Sequence, residues 1–296
     1  MQSLLLLLPD FSLIVLGAVL RQVMLNEAAF WPSVEKLVYF ILFPALLFNA
    51  MATADIDPDG TLPLFFSGLG LMVSGFALAW LGRPLMGLSP LAFASRMQCA
   101  YRFNTYIAIA LAGKLHGPAG VATMGALCGT MVPFANIFAV SQLARHGQTN
   151  MLREIARNPL VIATVAGLAW NLGGLPLPDA AASFLKRLGD AAVALGLLAV
   201  GAALRWGKAE GSLTGSVWLL AVKLMLLPAI AWGLGRQLGL GGVPFDILVL
   251  FAALPTASSA YILAMRMGGD GPGVAWLISA STLLAIVSLT FWLQLL

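Results

Sequence analysis

The sequence predicts an all-α polytopic membrane protein with ten transmembrane helices, arranged as two inverted repeats of five whose fourth and ninth helices are broken and cross. The chain of 296 residues is 60% hydrophobic and 9% charged, with a mean hydropathy of +0.94. Soluble domains carry about 25% charged residues. The charges fall between apolar runs of about 20 residues, the length that crosses a hydrocarbon core of about 30 Å. Two of these runs are interrupted at corresponding points.

Ten apolar runs are predicted to be spans, numbered here in chain order. They are residues 4–24, 31–53, 62–86, 90–114, 118–144, 159–177, 181–204, 213–236, 244–267 and 273–296. The connectors between them are short and rich in Gly, Pro and Asp, as in residues 57–60 and 268–272. These residue types are typical of turns. The pattern therefore leaves no room for a separate soluble domain.

The longest polar segment, residues 145–158, is predicted to be a cytoplasmic connector between a first repeat, residues 1–144, and a second, residues 159–296. Lys and Arg are concentrated on the cytoplasmic side of membrane proteins. In or beside connectors after odd-numbered spans the chain carries nine of them: Arg21, Arg83, Arg96, Arg145, Arg153, Arg157, Arg205, Lys208 and Arg266. After even-numbered spans it carries four: Lys114, Lys186, Arg187 and Arg236. Both termini are therefore predicted to lie outside.

The two halves contain matching interruptions. Asn104 is followed thirteen residues later by Gly117, and Pro255 is followed thirteen residues later by Gly268. This offset places the fourth and ninth spans at corresponding points of the two halves. Because each half contains an odd number of spans, five, the second half enters the membrane in the opposite orientation to the first. Inverted repeats whose interrupted helices meet near the midplane are typical of secondary transporters.

The ninth span contains the clearest break. Pro255 lacks a backbone donor and its ring clashes with the preceding turn. Broken backbone in a membrane is tolerated where it is buried in protein or lines a cavity. We predict a substrate site at this break, with the ligand held by Thr256 and by Ser258 or Ser259. The free N–H groups of the second half-helix favour an anion. The predicted site residues of this span are Pro255, Thr256, Ala257, Ser258 and Ser259.

Asn104 is the counterpart of Pro255 in the fourth span. It lies about fourteen residues into the span, which is ~21 Å along a helix and near mid-membrane. A lone Asn also serves as a hydrogen-bonding contact between helices, but the pairing with Pro255 favours an amide that contacts the substrate. Thr105 and Tyr106 follow it in the same predicted site.

Two further residues, Arg102 and Asn136, are candidates for the same site. Arg102 either contacts the anion or extends to the cytoplasmic interface. Asn136, in the fifth span, is either a packing amide or a substrate contact.

Lys223 and Asp190 are charges within the predicted spans. Lys223 lies about eleven residues into the eighth span, and Asp190 lies about nine residues into the seventh, at a similar predicted depth. A charge inside a membrane costs at least ~2.5 kcal/mol and indicates function by default. The two either form a structural ion pair or handle substrate or protons. Lys186 and Arg187 lie one helical turn from Asp190 and compete for it.

The sequence contains no enzyme or metal-site motif: no His/Cys cluster, HExxH pair, phosphate-binding glycine loop or nucleophile elbow. Cys99 and Cys128 fall in apolar runs and do not indicate a disulfide framework. The net charge of +4 is too small to indicate nucleic acid. We therefore expect no enzymatic activity, no cofactor, no metal and no nucleic-acid partner, and we expect a small organic anion and membrane lipid as partners.

Four segments carry a resemblance to a known family: residues 102–106, residues 188–204, Lys223 with Pro228, and residues 252–261. Through them nearly the whole chain resembles the auxin efflux carriers, which include plant auxin exporters and bacterial carriers of malonate and related acids. The family lies within the superfamily of bile-acid, arsenite and riboflavin transporters. Asn104 matches the family's Asn in the fourth helix, and Pro255 matches its crossover proline.

The resemblance implies a scaffold formed by spans 1, 2, 6 and 7 and a transport domain formed by spans 3–5 and 8–10. It also implies elevator-type motion and a homodimer that forms through the scaffold. Many relatives carry Gly-x-Pro shortly after the Asn, where this chain has residues 109–111, Ile-Ala-Leu. We therefore expect a gentler unwinding in the fourth span than in the ninth.

These observations predict a secondary active transporter of the bacterial inner membrane. It would move a small organic anion, an auxin- or malonate-like carboxylate, by alternating access, with proton coupling through Lys223 or Asp190 left open. A cation/proton antiporter on a similar fold is an alternative, although it would place carboxylates beside the crossover. A channel-like pore is a second alternative, and a ligand sensor that does not transport is a third.

Overall fold

The computed structural model describes residues 2–27, 29–53, 58–143, 159–204, 212–257 and 259–296. Over these residues the chain is helical and contains no β-strand, so the predicted all-α class is confirmed for them. Five helical segments among them are long and apolar enough to cross a membrane: Phe30–Asn49, Leu62–Leu81, Pro90–Leu143, Leu213–Gln237 and Gly271–Leu293. The predicted connector at 145–158 lies outside the described residues.

The helices follow the predicted spans closely. In the first half they are Gln2–Val23; Phe30–Leu37, the π-helical turn Val38–Leu42 and Phe43–Ala52; Pro58–Leu81 with the short Arg83–Met86; Pro90–Met97 with the 3-10 turn Gln98–Ala100; and Thr105–Leu143. In the second half they are Pro159–Leu172; Asp179–Ala203; Leu213–Ala221, the π-helical turn Val222–Leu226 and Leu227–Gln237; Gly242–Ala253; Ser259–Arg266; and Gly271–Leu293.

Gly117 separates the fourth span from the fifth inside the helix Thr105–Leu143. Its φ of 57° and ψ of -141° are not helical. Glycine adopts a positive φ at little cost because it has no Cβ. The chain therefore turns at the position where the sequence predicts a connector, just before Pro118.

The most extensive helix contacts fall into two groups, and further contacts join the groups. The first span packs on the seventh, and the second packs on the sixth and seventh. The eighth span packs on the first part of the ninth and on the third, and the third packs on the fifth. Close approach in the first group depends on glycine, because a Cβ at Gly201 would overlap the carbonyl of Ile14 and a Cβ at Gly17 would overlap that of Leu198.

The π-helical turn of the eighth span precedes Pro228. A proline ring inside a helix clashes with the carbonyl four residues earlier and cannot donate a hydrogen bond to it, and that carbonyl belongs to Leu224. The indole Nε1 of Trp292 donates to this carbonyl at 3.0 Å. The carbonyl of Leu224 is therefore not left without a hydrogen bond. The same bond holds the π-helical turn that carries Lys223 against the tenth span.

Candidate functional site

Both predicted breaks are present. The fourth span leaves helical geometry at Tyr101 and resumes it at Thr105; we call residues 101–104 the fourth-span break. The ninth span is non-helical over residues 254–257, which we call the ninth-span break. The helical pieces on either side are named 4a (Pro90–Met97 with Gln98–Ala100), 4b (residues 105–116), 9a (Gly242–Ala253) and 9b (Ser259–Arg266).

The expectation of a gentler unwinding in the fourth span is wrong. The break precedes Asn104, so it does not depend on the residues at 109–111, which lie within helix 4b. The reason is local. The Oδ1 atom of Asn104 accepts hydrogen bonds from the backbone N–H groups of Tyr106 at 3.0 Å and Ile107 at 3.2 Å. Such an N-cap starts a new helix without a proline.

The two breaks are joined by hydrogen bonds. The backbone N–H of Asn104 donates to the carbonyl of Pro255 at 2.9 Å. The hydroxyl of Thr256 donates to the carbonyl of Cys99 at 2.7 Å, and the N–H of Thr256 donates to the hydroxyl of Ser281 at 3.2 Å. Asn104 and Thr256 are each 1% exposed. The two breaks therefore form one hydrogen-bonded unit with the end of 4a and the tenth span, and we call this unit the crossing.

Asn104 retains unused donor capacity. Its Oδ1 atom is occupied by the helix cap, but its Nδ2 atom is buried and has no hydrogen-bond partner among the described residues. A buried amide without a partner costs roughly 1–3 kcal/mol. A ligand acceptor placed here would remove that cost.

Arg102 links three elements at the crossing. One terminal nitrogen donates to the hydroxyl of Ser259 at 3.1 Å, and the other donates to Oδ1 of Asn136 at 2.8 Å. Its Nε atom has no partner among the described residues, and the residue is 6% exposed. The alternative in which Arg102 extends to the cytoplasmic interface is therefore wrong. The guanidinium instead lies at the N-terminal end of 9b, in contact with the fifth span.

Lys223 lies at the C-terminal end of half-helix 9a. Its Nζ atom donates to the carbonyl of Ala252 at 3.1 Å, and the residue is 2% exposed. Ala252 is the last residue but one of 9a, so its carbonyl belongs to the group that has no partner within the helix. A cation at a helix C-terminus is favourable because the carbonyls carry partial negative charge.

These contacts differ between the C-terminal ends of the half-helices, which carry partial negative charge, and the N-terminal ends, which carry partial positive charge. The negative ends are covered, 4a by the Thr256 hydroxyl and 9a by the Lys223 ammonium. At the positive ends lie Asn104 with its unused amide donors and Arg102, which contacts the first residue of 9b. Positive partial charge at a helix N-terminus attracts anions. The groups left without a partner at the crossing are therefore hydrogen-bond donors, those of Asn104 and Arg102.

Asp190 does not pair with Lys223. It lies on the exposed side of the seventh span and pairs with Lys186 at 3.2 Å, with the two side chains 69% and 72% exposed. The sequence left open whether Asp190 pairs with Lys223 or with a neighbour on its own helix, and the structure shows the pair with the neighbour Lys186. The reason is that the seventh span packs on the first and second, so a similar predicted depth did not make Asp190 a neighbour of the eighth span.

The remaining predicted site residues surround the breaks. Thr105 is hydrogen-bonded to Cys128. The Tyr106 ring packs edge-on against Phe43 with centroids 4.6 Å apart, which brings 4b against the second span. Ala257 is half-buried, and its carbonyl accepts a hydrogen bond at the start of 9b. Ser258 lies outside the described residues.

Two contacts between a basic and an acidic side chain lie at the ends of the fourth and ninth spans that are remote from the breaks. Arg96 of 4a pairs with Asp270, with Nε and Oδ2 2.5 Å apart. At the other end, His116 Nε2 lies 2.9 Å from Oδ2 of Asp246. Sequence reasoning missed both contacts, because it treated Arg96 as a topology signal and assigned no role to His116. A usable signal for Asp270 was its position just before Gly-Pro at a helix start.

Gln98 and Ser281 also belong to the crossing and were missed. The side-chain amide of Gln98 donates to the carbonyls of Ser95 at 2.9 Å and Ala260 at 3.3 Å, which joins 4a to 9b. Ser281 accepts from the backbone of Thr256. Three of the four residues 279–282 carry hydroxyl groups within an apolar span, and Ser281 is one of them; this was the available signal.

The crossing is largely buried in this structure. Cavities of about 460 Å³ and 300 Å³ lie elsewhere, along the first and tenth spans, and their linings are almost entirely apolar. They are weaker candidates for the site than the crossing because they offer few polar groups to hold a charged ligand. Arg102, Asn104 and Thr256 are buried, whereas Ala257 and Asn136 are half-buried and Ser259 at the start of 9b is exposed, so the crossing is accessible from the side of 9b.

The chain is similar to known membrane proteins. The profile of the family described as "Membrane transport protein" matches residues 135–293. A protein of Methanothermobacter thermautotrophicus named "Uncharacterized transporter" is 24% identical over 286 residues, 95% of this chain and 94% of that protein. A protein of Rhizobium meliloti (strain 1021), named as a candidate malonate transporter, is 24% identical over 308 residues, 96% of this chain and 93% of that protein. The similarity to both relatives thus extends over nearly their whole length.

Proposed function

Since the chain belongs to the membrane transport protein family, the family of the auxin efflux carriers, we propose that it is a secondary active transporter of a small organic anion. The substrate class is a carboxylate, and malonate is the first candidate because one relative is named for it. The carboxylate binds at the crossing of the fourth and ninth spans. The protein lies in the bacterial inner membrane with both termini outside.

The observation that carries the proposal is the unpartnered Nδ2 atom of Asn104. It is buried at the N-terminus of 4b, two residues along the chain from Arg102, whose Nε atom also lacks a partner among the described residues. A carboxylate supplies the acceptors that both groups lack, and hydrogen bonds to charged groups contribute about 1.5–3 kcal/mol each. Ser259, Asn136 and the ninth-span break complete the proposed site around the bound head group, and apolar side chains hold the rest of the substrate.

We assign the ten spans to two inverted repeats and to two moving parts. Spans 1, 2, 6 and 7 form the scaffold and the homodimer contact, and the remaining spans form the transport domain. The packing of the first span on the seventh, and of the second on the sixth and seventh, supports this division. We propose that alternating access occurs by movement of the transport domain relative to the scaffold, in an elevator-type motion.

The antiporter alternative has less support. A cation or proton antiporter would place a carboxylate beside the crossover, and the stretches 90–116 and 247–269 contain no Asp or Glu. The acidic residues that flank the ninth span, Asp246 and Asp270, contact His116 and Arg96 at the helix ends. A ligand sensor would use the same site, and only a flux measurement separates it from a carrier.

Thermal unfolding of the purified protein with mono- and dicarboxylates tests the proposal. An anion at about 100 times its Kd contributes about 2.7 kcal/mol, which corresponds to a rise in Tm of about 5 °C or more. Malonate should produce this rise, and malonamide, its neutral analogue, should not.

Flux of the binding anion into proteoliposomes should then be saturable and should show counterflow, and an imposed pH gradient tests proton coupling. Binding without flux would make the protein a sensor, and linear flux would make it a pore. If no small carboxylate shifts the Tm, the proposal fails.

A further inference from the structure

We propose that the ammonium group of Lys223 takes the place of a bound metal cation at the helix crossing, so that the anion site needs no sodium ion. Unwound carbonyls and the C-terminal ends of half-helices coordinate Na⁺ or H⁺ in many secondary transporters. In this chain a side chain occupies that position. Because it treats the chain as a carrier, the inference rests on the proposed function, but its test measures ion binding and not transport.

The C-terminal end of 9a supplies the acceptor. The last four carbonyls of a helix have no partner within it and carry partial negative charge. The helix ends at Ala253 and the backbone of Leu254 is extended, so this end cannot be satisfied by further helical turns. The Lys223 ammonium donates to the carbonyl of Ala252 at 3.1 Å in a buried setting. The Nζ atom of Lys223 therefore already occupies the place beside this carbonyl where a metal cation would bind.

The position of Lys223 is fixed by its own element. It lies in the π-helical turn Val222–Leu226, which contacts 9a, the third span and the tenth span. Trp292 holds the carbonyl of Leu224 one residue further along. Among the described residues no carboxylate pairs with Lys223, so the charge is directed at the helix end. π-helical turns are often found at functional sites.

The charge balance of the crossing disfavours an additional cation. Arg102 and Lys223 are two basic side chains there, and the stretches 90–116 and 247–269 contain no acidic residue, although Glu35 of the second span lies within electrostatic reach of Tyr106. Like charges repel strongly in a buried environment, where the effective dielectric constant is low. A sodium ion would add a further positive charge before any substrate arrives. The substrate anion would instead supply the negative charge that opposes these basic side chains.

The test is thermal unfolding in NaCl, KCl and choline chloride at equal concentration, without organic anions. The wild-type Tm should be the same in all three salts. Lys223→Ala leaves space at the carbonyl end of 9a, and NaCl should raise its Tm by about 3 °C or more relative to choline chloride, because ligand binding stabilises by mass action. Lys223→Met fills the space with an apolar chain and should show no sodium effect.

Each outcome decides the inference separately from the proposed function. A sodium-dependent rise in the wild-type Tm overturns it, and so does a Lys223→Ala protein that unfolds at the same temperature in all salts. If Lys223→Ala cannot be purified, the wild-type comparison still decides. Lys186→Met serves as the control for loss of a lysine, because Lys186 lies 72% exposed on the seventh span. Failure of carboxylates to bind would overturn the proposed function while leaving the sodium result intact.

Discussion

Replacing Asp270 by Asn is expected to lower the free energy of unfolding by about 3–5 kcal/mol, because it leaves the buried guanidinium of Arg96 without its counter-charge. Arg96 is 2% exposed, and its pairing with Asp270 joins 4a to the start of the tenth span. The substitution preserves the shape of the side chain. Its Oδ1 atom can still accept from the N–H of Gly273, as Asp270 does at 2.9 Å, so the helix cap is kept, while the charge and the acceptor that face Arg96 are both lost.

A double variant separates the ion pair from general damage. Arg96→Met combined with Asp270→Asn removes both charges and should recover most of the lost stability, since a buried pair replaced by neutral groups is often close to neutral. Asp190→Asn is the matched control, because its pair with Lys186 is exposed and should contribute no more than about 0.5 kcal/mol. A Tm of Asp270→Asn equal to that of the wild type would show that the pair does not hold these helices.

Asn104→Ser should weaken carboxylate binding at least about tenfold while leaving the Tm within about 3 °C of the wild type. Serine is a good N-cap, so the bonds to the start of 4b are kept. The Nδ2 donors are lost, and a hydrogen bond to a charged group contributes about 1.5–3 kcal/mol, which is more than a factor of ten in affinity. Binding is measured by titrating the stabilising anion.

Asn104→Ala is the comparison that separates the two roles of Asn104. It should lose binding and also about 1 kcal/mol of stability, because the cap is removed together with the amide. Alanine alone would therefore confuse a folding defect with a binding defect. If Asn104→Ser binds the anion as tightly as the wild type does, the amide makes no contact with the substrate.

The backbone breaks could be predicted because their cause is local in the sequence. Pro255 cannot continue a helix, and the offset between the two halves located Asn104 as its counterpart. Gly117 was marked by its place before Pro118. The strength of the fourth-span break was misjudged for a local reason as well: the side chain of Asn104 caps the next helix, and that cap replaces the family's proline.

The partners of the buried charges could not be predicted. Arg102 reaches Ser259 across 157 positions of the sequence, and no spacing rule connects them. Lys223 was compared with Asp190 by depth, but depth along the membrane does not determine which helices are neighbours. Its partner is a backbone carbonyl, that of Ala252, which no side-chain pattern indicates. Such contacts follow from the packing of the two breaks.

The most direct test of an anion site at the crossing is protection of a cysteine placed in the ninth-span break. Ala257 is half-buried beside the start of 9b, and the native Cys99 and Cys128 are only 2% and 1% exposed, so the unmodified chain serves as the blank. We expect a maleimide to alkylate the Ala257→Cys variant, and to do so about tenfold more slowly when the stabilising carboxylate is present at ten times its Kd. Equal alkylation rates with and without the bound anion would contradict the placement of the substrate at this crossing.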